Sequence, residues 1–202
     1  MAYPVKWYSS NMQGAGNLGD TTDGALTSLL KSILVTGFGT LAINALSFDT
    51  AKGWAVATFT GGHAYLQDSV VQVDGVSPAA YNGEHRVMQI TATQVWFEID
   101  GGNPGAAGSG AAMTMKVAPL GWTITHESGD GKIFIVRPTN VSESGNVSLR
   151  IDIPDGVAHE NATPVPSQAQ PRQVRWSMRL APGQTQAGEV TLVLPQASSS
   201  LR

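Results

Sequence analysis

Residues 62–99, GHAYLQDSVVQVDGVSPAAYNGEHRVMQITATQVWFEI, decide the fold class. Val71 and Val73 alternate with Gln72 and Asp74, Met88 and Ile90 with Val87 and Gln89, and Val95, Phe97 and Ile99 with Trp96 and Glu98. A period of two gives each run one face for a core and one for water, which is the pattern of strands. Between the first two runs stand Asp74-Gly75, Ser77-Pro78 and Tyr81-Asn82-Gly83. Gly and Asn tolerate positive φ and Pro fixes its own, so the chain is expected to reverse there.

Upstream, 43–48 and 54–59 read as two further strands joined across 49–53; downstream, Met113, Met115 and Val117 alternate with Thr114 and Lys116 after a small-residue loop at 100–108. Residues 41–117 are therefore expected to form an antiparallel β-sandwich or small barrel of five to six strands. The C-terminal third is β again. Ile133 to Val136 is a short apolar run; Val147, Leu149, Ile151 and Ile153, then Val174, Trp176, Met178 and Leu180, then Val190, Leu192 and Leu194 mark three more strands. One helix stands out near the N-terminus. Leu26, Leu29, Leu30, Ile33 and Leu34 fall at i, i+3, i+4, i+7 and i+8, with Asp20, Thr21, Thr22 and Asp23 as capping oxygens and Gly37 or Gly39 as the stop. That leucine stripe needs a sheet to cover, and residues 133–194 offer the nearest unclaimed face. The expected architecture is mainly β with one N-terminal amphipathic helix. Residues 1–40, a strand at 3–8 and the helix, pack with 118–202 as one α+β domain into which the 41–117 module is inserted.

Composition narrows the function classes. Charged residues are 13% of the 202, against about 25% in an average domain, while there are 23 Gly and 11 Pro. A net charge of −3 offers no broad basic field for phosphate backbones, so nucleic acid is not an expected partner. The chain has no cysteine, which excludes disulfides and thiolate metal sites. No apolar run is long enough to span a bilayer, and the start, with Lys6 as its first basic residue, lacks signal-peptide character. Synthesis in a cytosol, with no membrane partner, is the expectation.

Candidate chemical motifs are weak. Gly14-Ala15-Gly16-Asn17-Leu18-Gly19 matches G-x-G-x-x-G, but polar residues precede it and no βαβ alternation follows, so it reads as a Gly-rich loop without a cofactor. His63, His85, His126 and His159 are scattered, without metal-ligand spacing. Asp68, Asp74 and Glu84 could supply paired carboxylates for glycoside hydrolysis only if pairing placed them correctly; solvated side chains are the simpler reading. Residues 128–132, SGDGK, lack the oxygen series of a calcium loop and read as a hairpin turn. No catalytic, cofactor or metal residue is assigned, and no enzyme is expected. Among the tryptophans, Trp96 opposes the Val95, Phe97, Ile99 face and is the best candidate for an exposed aromatic; Trp176 shares its face with Val174, Met178 and Leu180 and is expected in a core.

Two stretches carry a family resemblance. The His, apolar run, Asp74-Gly75-Val76 and Tyr81-Asn82-Gly83 turn leading into a Val-rich strand resemble a small β module of tailed-bacteriophage virion proteins. Tyr3-Pro4-Val5-Lys6-Trp7, a Gly-rich loop, then LTSLLK and LVTGFG look like the start of tailed-phage structural proteins. Together the two cover residues 3 to about 120. The resemblance implies a structural component of the virion, in tail, tail tip or baseplate, or capsid surface, acting through contacts with other virion proteins and as a homo-oligomer within the particle. A glycan-binding β module for host attachment, displaying Trp96 to a surface glycan, is the alternative. Residues 154–171, with Pro164, Pro166 and Pro171, and the tail 196–202 are too poor in apolar residues to bury themselves. With Arg172, Arg175 and Arg179 they are the expected partner contacts.

Overall fold

The computed structural model describes residues 5–16, 25–107, 113–131, 133–140 and 147–152, and the backbone of two further strands at 173–177 and 189–193. The chain divides into two units, one formed by residues 1–16 and 36–120 and the other by 17–35 and 121–202.

Seven strands build the first unit: β1 Phe38–Ala42, β2 Ala45–Asp49, β3 Trp54–Thr58, β4 Val70–Asp74, β5 Gly83–Ile90, β6 Gln94–Phe97 and β7 Thr114–Val117. They hydrogen-bond in the order β1-β7-β4-β5-β6-β3-β2, all antiparallel. The two ends of that order are consecutive in sequence. Ile43 N donates to Met113 O at 2.9 Å and Asn44 N to Thr58 O at 2.9 Å, so one kinked ribbon leaves β7 and joins β3 within two residues. The sheet thereby curls back on itself as a small barrel, with β1 and β2 each paired on one side.

Inside lie residues of β2 to β7, Leu46, Ala55, Ala57, Val71, Val73, Val87, Val95, Phe97, Met115 and Val117, with Phe38 and Leu41 of β1 partly buried against them. β5 departs from strict alternation. Val87 pairs with Phe97 but Gln89 with Trp96, so Met88 is an extra residue at a bulge. The bulge reverses the parity, which lets Val87 face inward and Ile90, two pleats on, still pack against the core. Strict alternation had put Met88 with Ile90 and Val87 opposite.

The N-terminal segment differs from expectation. Residues 5–9 pair with no strand, and 5–16 form a strap on the barrel that meets only the start of 118–202, at residues 118 and 119, and belongs to the first unit. Lys6 Nζ reaches Glu84 Oε1 and Pro119 O, each at 2.5 Å, and Tyr8 Oη donates to Ala118 O at 2.9 Å. Met12 enters the core. Gln13 N donates to Ala64 O and Gln13 Oε1 accepts from Ala64 N, at 2.9 and 2.8 Å. Beyond it Gly14 and Gly39, both at positive φ, lie so close that a Cβ on Gly14 would sit 2.4 Å from Gly39 Cα. Gly14, the first glycine of the dinucleotide-like motif, therefore serves backbone packing; Gly19, the last, lies outside the described residues.

The second unit has the helix α1, Ala25–Lys31, continued by a wider π turn Ser32–Thr36 that Gly37 ends at φ +73. Its sheet comprises β8 Trp122–Glu127, β9 Ile133–Pro138, β10 Ser148–Asp152, β11 Gln173–Ser177 and β12 Glu189–Val193, in the order β12-β11-β10-β9-β8. Leu34 is buried with Phe134, Val136, Leu149 and Ile151, while Leu30, Val35, Trp122 and Ile124 pack at the margin. Lys31 adds an ion pair to Glu127 and lies 5.2 Å over the Phe134 ring. The helix thus covers one face of β8–β10; of the Leu26, Leu29, Leu30, Ile33 and Leu34 stripe, Leu34 is buried and Leu30 packs beside it, while Thr27, off the stripe, is buried as well. The π turn changes the angular step, so the 3.6 period does not carry through the last five residues. Residues 128–131 form the expected turn between β8 and β9, closed by Ser128 N to Ile133 O at 2.8 Å.

Candidate functional site

Along the strap, side chains alternate as an extended segment requires. Lys6 and Tyr8 point to the barrel; Val5 and Trp7 do not, and they remain 71% and 38% exposed. Leu120, which follows the Pro119 carbonyl that accepts from Lys6, is 39% exposed. These are the exposed large hydrophobics among the described residues. The Trp7 ring is not free to turn, because its Nε1–H donates to Asp68 O at 3.1 Å.

Asp68 is the described non-glycine residue with positive φ, at +63. Its N–H donates to Val87 O at 2.9 Å, and Oδ1 accepts from Arg86 Nη2 at 2.6 Å. Asp tolerates the left-handed region better than most residues, yet holding it there costs of order 1 kcal/mol. The Asp68 and Arg86 side chains remain 57% and 48% exposed. Asp68 thus links the three at the surface, holding the Trp7 indole through its backbone oxygen and the Arg86 guanidinium through its carboxylate. Sequence reading missed this patch because Trp7 sat in a segment taken for a strand, and no local pattern links Trp7 to residues 61 and 79 positions away. An aromatic among polar neighbours, W-Y-S-S, was the only signal.

Trp96 corrects an expectation. Its outward direction is as read, opposite to inward Val95 and Phe97, but it is only 8% exposed. Lys52 Nζ lies 4.0 Å from the ring centroid and is held there by Gln89 Oε1 at 2.8 Å, while the indole N–H donates to Asp49 Oδ2 at 3.1 Å. The 49–53 turn folds the lysine over the ring. Partial desolvation raises the Asp49 carboxyl, but bonds from Trp96, Lys52 and Ala51 and the Lys52 charge outweigh it and hold it below the usual carboxylate value.

The remaining candidates separate from one another. Glu84 is bound by Lys6, Asp68 by Arg86, and Asp74 accepts from Gln72 at 3.1 Å, so each of the three carboxylates has its own partner. His63 donates from Nε2 to Gln94 O at 3.1 Å and accepts Tyr65 N–H on Nδ1 at 3.2 Å, a neutral tautomer fixed from both sides. Burial holds its pKa below the ordinary histidine value against the opposing carbonyls of Gln94 and Thr91. Buried His85 has both ring nitrogens 2.9 Å from carbonyls, of Glu98 and of Tyr81. Burial again is the larger effect and lowers its pKa, opposed by those carbonyls and by Asp100. His126 is exposed on β8. Among the described residues no three His, Cys, Asp or Glu side chains gather as a metal would require, and no helix is long and apolar enough to cross a membrane.

Pro164, Pro166, Pro171, Arg172 and Arg179 lie outside the described residues, as do the whole of 154–171 and 196–202. Arg175 is on β11, opposite Thr191 of β12. Trp176 is in register with Leu149, which belongs to the helix-covered face. Comparison with protein-family models, with curated proteins and with solved structures found no match.

Proposed function

We propose that this chain is a structural component of a tailed-phage virion that acts through protein–protein contacts, as repeated copies within the particle. The observation that carries the reading is the contrast between the two sheets. The first turns back on itself, its end strands β1 and β2 being consecutive in sequence; the second is open, with β8 and β12 at its ends. A bulge between Ile124 and His126 interrupts β8, and bulged edges resist strand addition. That leaves β12, which among the described residues pairs with β11 alone and has a second side whose backbone donors and acceptors suit an extended segment of a neighbour. The Pro-rich residues 154–171 and the polar tail 196–202 flank β11 and β12 in sequence, and extended proline-containing segments lose less entropy on docking. The resemblance at residues 3 to about 120 supports the virion setting. Deleting residues 157–170 is expected to leave a folded first unit, read from its tryptophan fluorescence, in a protein that no longer enters particles. Normal incorporation of that variant would refute the assignment of the contact.

A further inference from the structure

We propose that Trp7, Asp68 and Arg86 form a binding subsite for a neutral saccharide. The proposal goes beyond the assembly role and does not depend on it, because it concerns the barrel and its strap. Three features point to a ligand. A large aromatic face is exposed at a position where its indole N–H is already consumed by Asp68 O, so the ring is oriented before anything binds. The residue holding it adopts a left-handed conformation that a non-glycine residue takes at a cost, and such outliers gather at ligand clamps. Its carboxylate and the Arg86 guanidinium form an exposed pair joined through one oxygen, Oδ1, and one nitrogen, Nη2.

The chemistry of that pair selects the ligand class. A carboxylate oxygen beside guanidinium N–H groups offers an acceptor next to donors, which matches two adjacent hydroxyls, each both donor and acceptor. The axial C–H face of a pyranose suits the indole, which has an apolar body and no donor left to give. The two charges cancel, so nothing in the subsite favours an anionic sugar over a neutral one. A protein partner fits less well, since seating an apolar surface here would strip water from both charges, a cost that often exceeds what the ion pair returns. Saccharide hydroxyls replace that water bond for bond.

The test is titration of the full chain with maltohexaose, cellohexaose, laminarihexaose and chitohexaose, following the five indole N–H resonances by NMR and affinity by calorimetry. At least one oligosaccharide is expected to shift the Trp7 indole signal. Trp7→Ala should weaken that binding about tenfold or more, the loss of one anchoring aromatic, with Trp7→Phe retaining part of it. Asp68→Asn, which keeps an oxygen and tolerates the same φ, should weaken it severalfold, while Trp96→Phe should leave it unchanged. Failure of all four sugars to move the Trp7 signal at millimolar concentration, or binding that survives Trp7→Ala, overturns the proposal. So does a Trp7→Ala variant that loses particle incorporation while the parent binds no sugar, which would make the patch a protein contact.

Discussion

Gly39→Ala should detach the strap from the barrel, and the structure lets its cost be separated into two parts. The first is conformational: Gly39 has φ +69, where an alanine is disfavoured by about 1 kcal/mol. The second is steric. A Cβ at Gly39 would lie 1.9 Å from Gln13 O and 2.6 Å from its carbonyl carbon, both backbone atoms, so the strap must move away. Moving it breaks the two hydrogen bonds between Gln13 and Ala64, worth about 1 kcal/mol each, and withdraws Met12 from the core, worth about 2 kcal/mol. Gly53→Ala is the matched control. Gly53 has φ +74 but nothing within 4 Å of its Cβ position, so it carries the conformational cost alone. Hydrogen exchange at the Ala64 amide, which donates to Gln13 Oε1, reads strap release directly. Gly39→Ala is expected to lower protection there and to destabilise the barrel by about 4 kcal/mol more than Gly53→Ala. Equal losses for the two variants would refute the argument that close backbone approach fixes the strap.

Other perturbations follow from particular contacts. Asn82 accepts from Val76 N at 2.8 Å and donates to Val76 O at 2.7 Å, so Asn82→Ala should cost about 2 kcal/mol in urea unfolding, and Asn82→Asp about half of that. Leu34→Ala should cost about 3 kcal/mol in the second unit and leave exchange protection within β3–β7 unchanged. For His63 the folded pKa lies below the unfolded value of about 6.5. The unfolded chain therefore binds the extra proton first, and the stability His63 contributes is full above about pH 6.5 and lost as the pH falls toward the folded pKa. A melting temperature that drops on acidification, with a shallower drop in His63→Gln, is the expected record; a rise on acidification would contradict it. Lys52→Ala should expose the Trp96 ring, red-shifting its emission, at a stability cost of about 1 kcal/mol or less.

Much of the fold was legible because strand periodicity is local. The alternations at 71–73, 95–97, 113–117 and 147–151 are the inward and outward faces of β4, β6, β7 and β10, with 113 and 147 just ahead of their strands, and the apolar run 133–136 is β9. β8 was missed, although Trp122 and Ile124 alternate with Thr123 and Thr125, because the bulge after Ile124 ends the pattern too soon to count as a run. β1 was missed for a different reason. Its burial follows no clear alternation, and its identity comes from pairing with β7, some 75 residues away. The same limit applies to the site. Which way Trp96 points follows from parity, but that Lys52 covers it depends on how the 49–53 turn folds back. That Trp7 meets Asp68 depends on a strap whose path is set by Lys6, Met12 and Gly14, none of which announces its partner in sequence.

The virion assignment is tested most directly by quantitative mass spectrometry of purified particles, disassembled stepwise, from cells that produce this chain. The account expects the chain at a fixed, multiple copy number per particle, released together with one defined substructure. Its absence from particles, while it is abundant in the same lysate, would contradict the account.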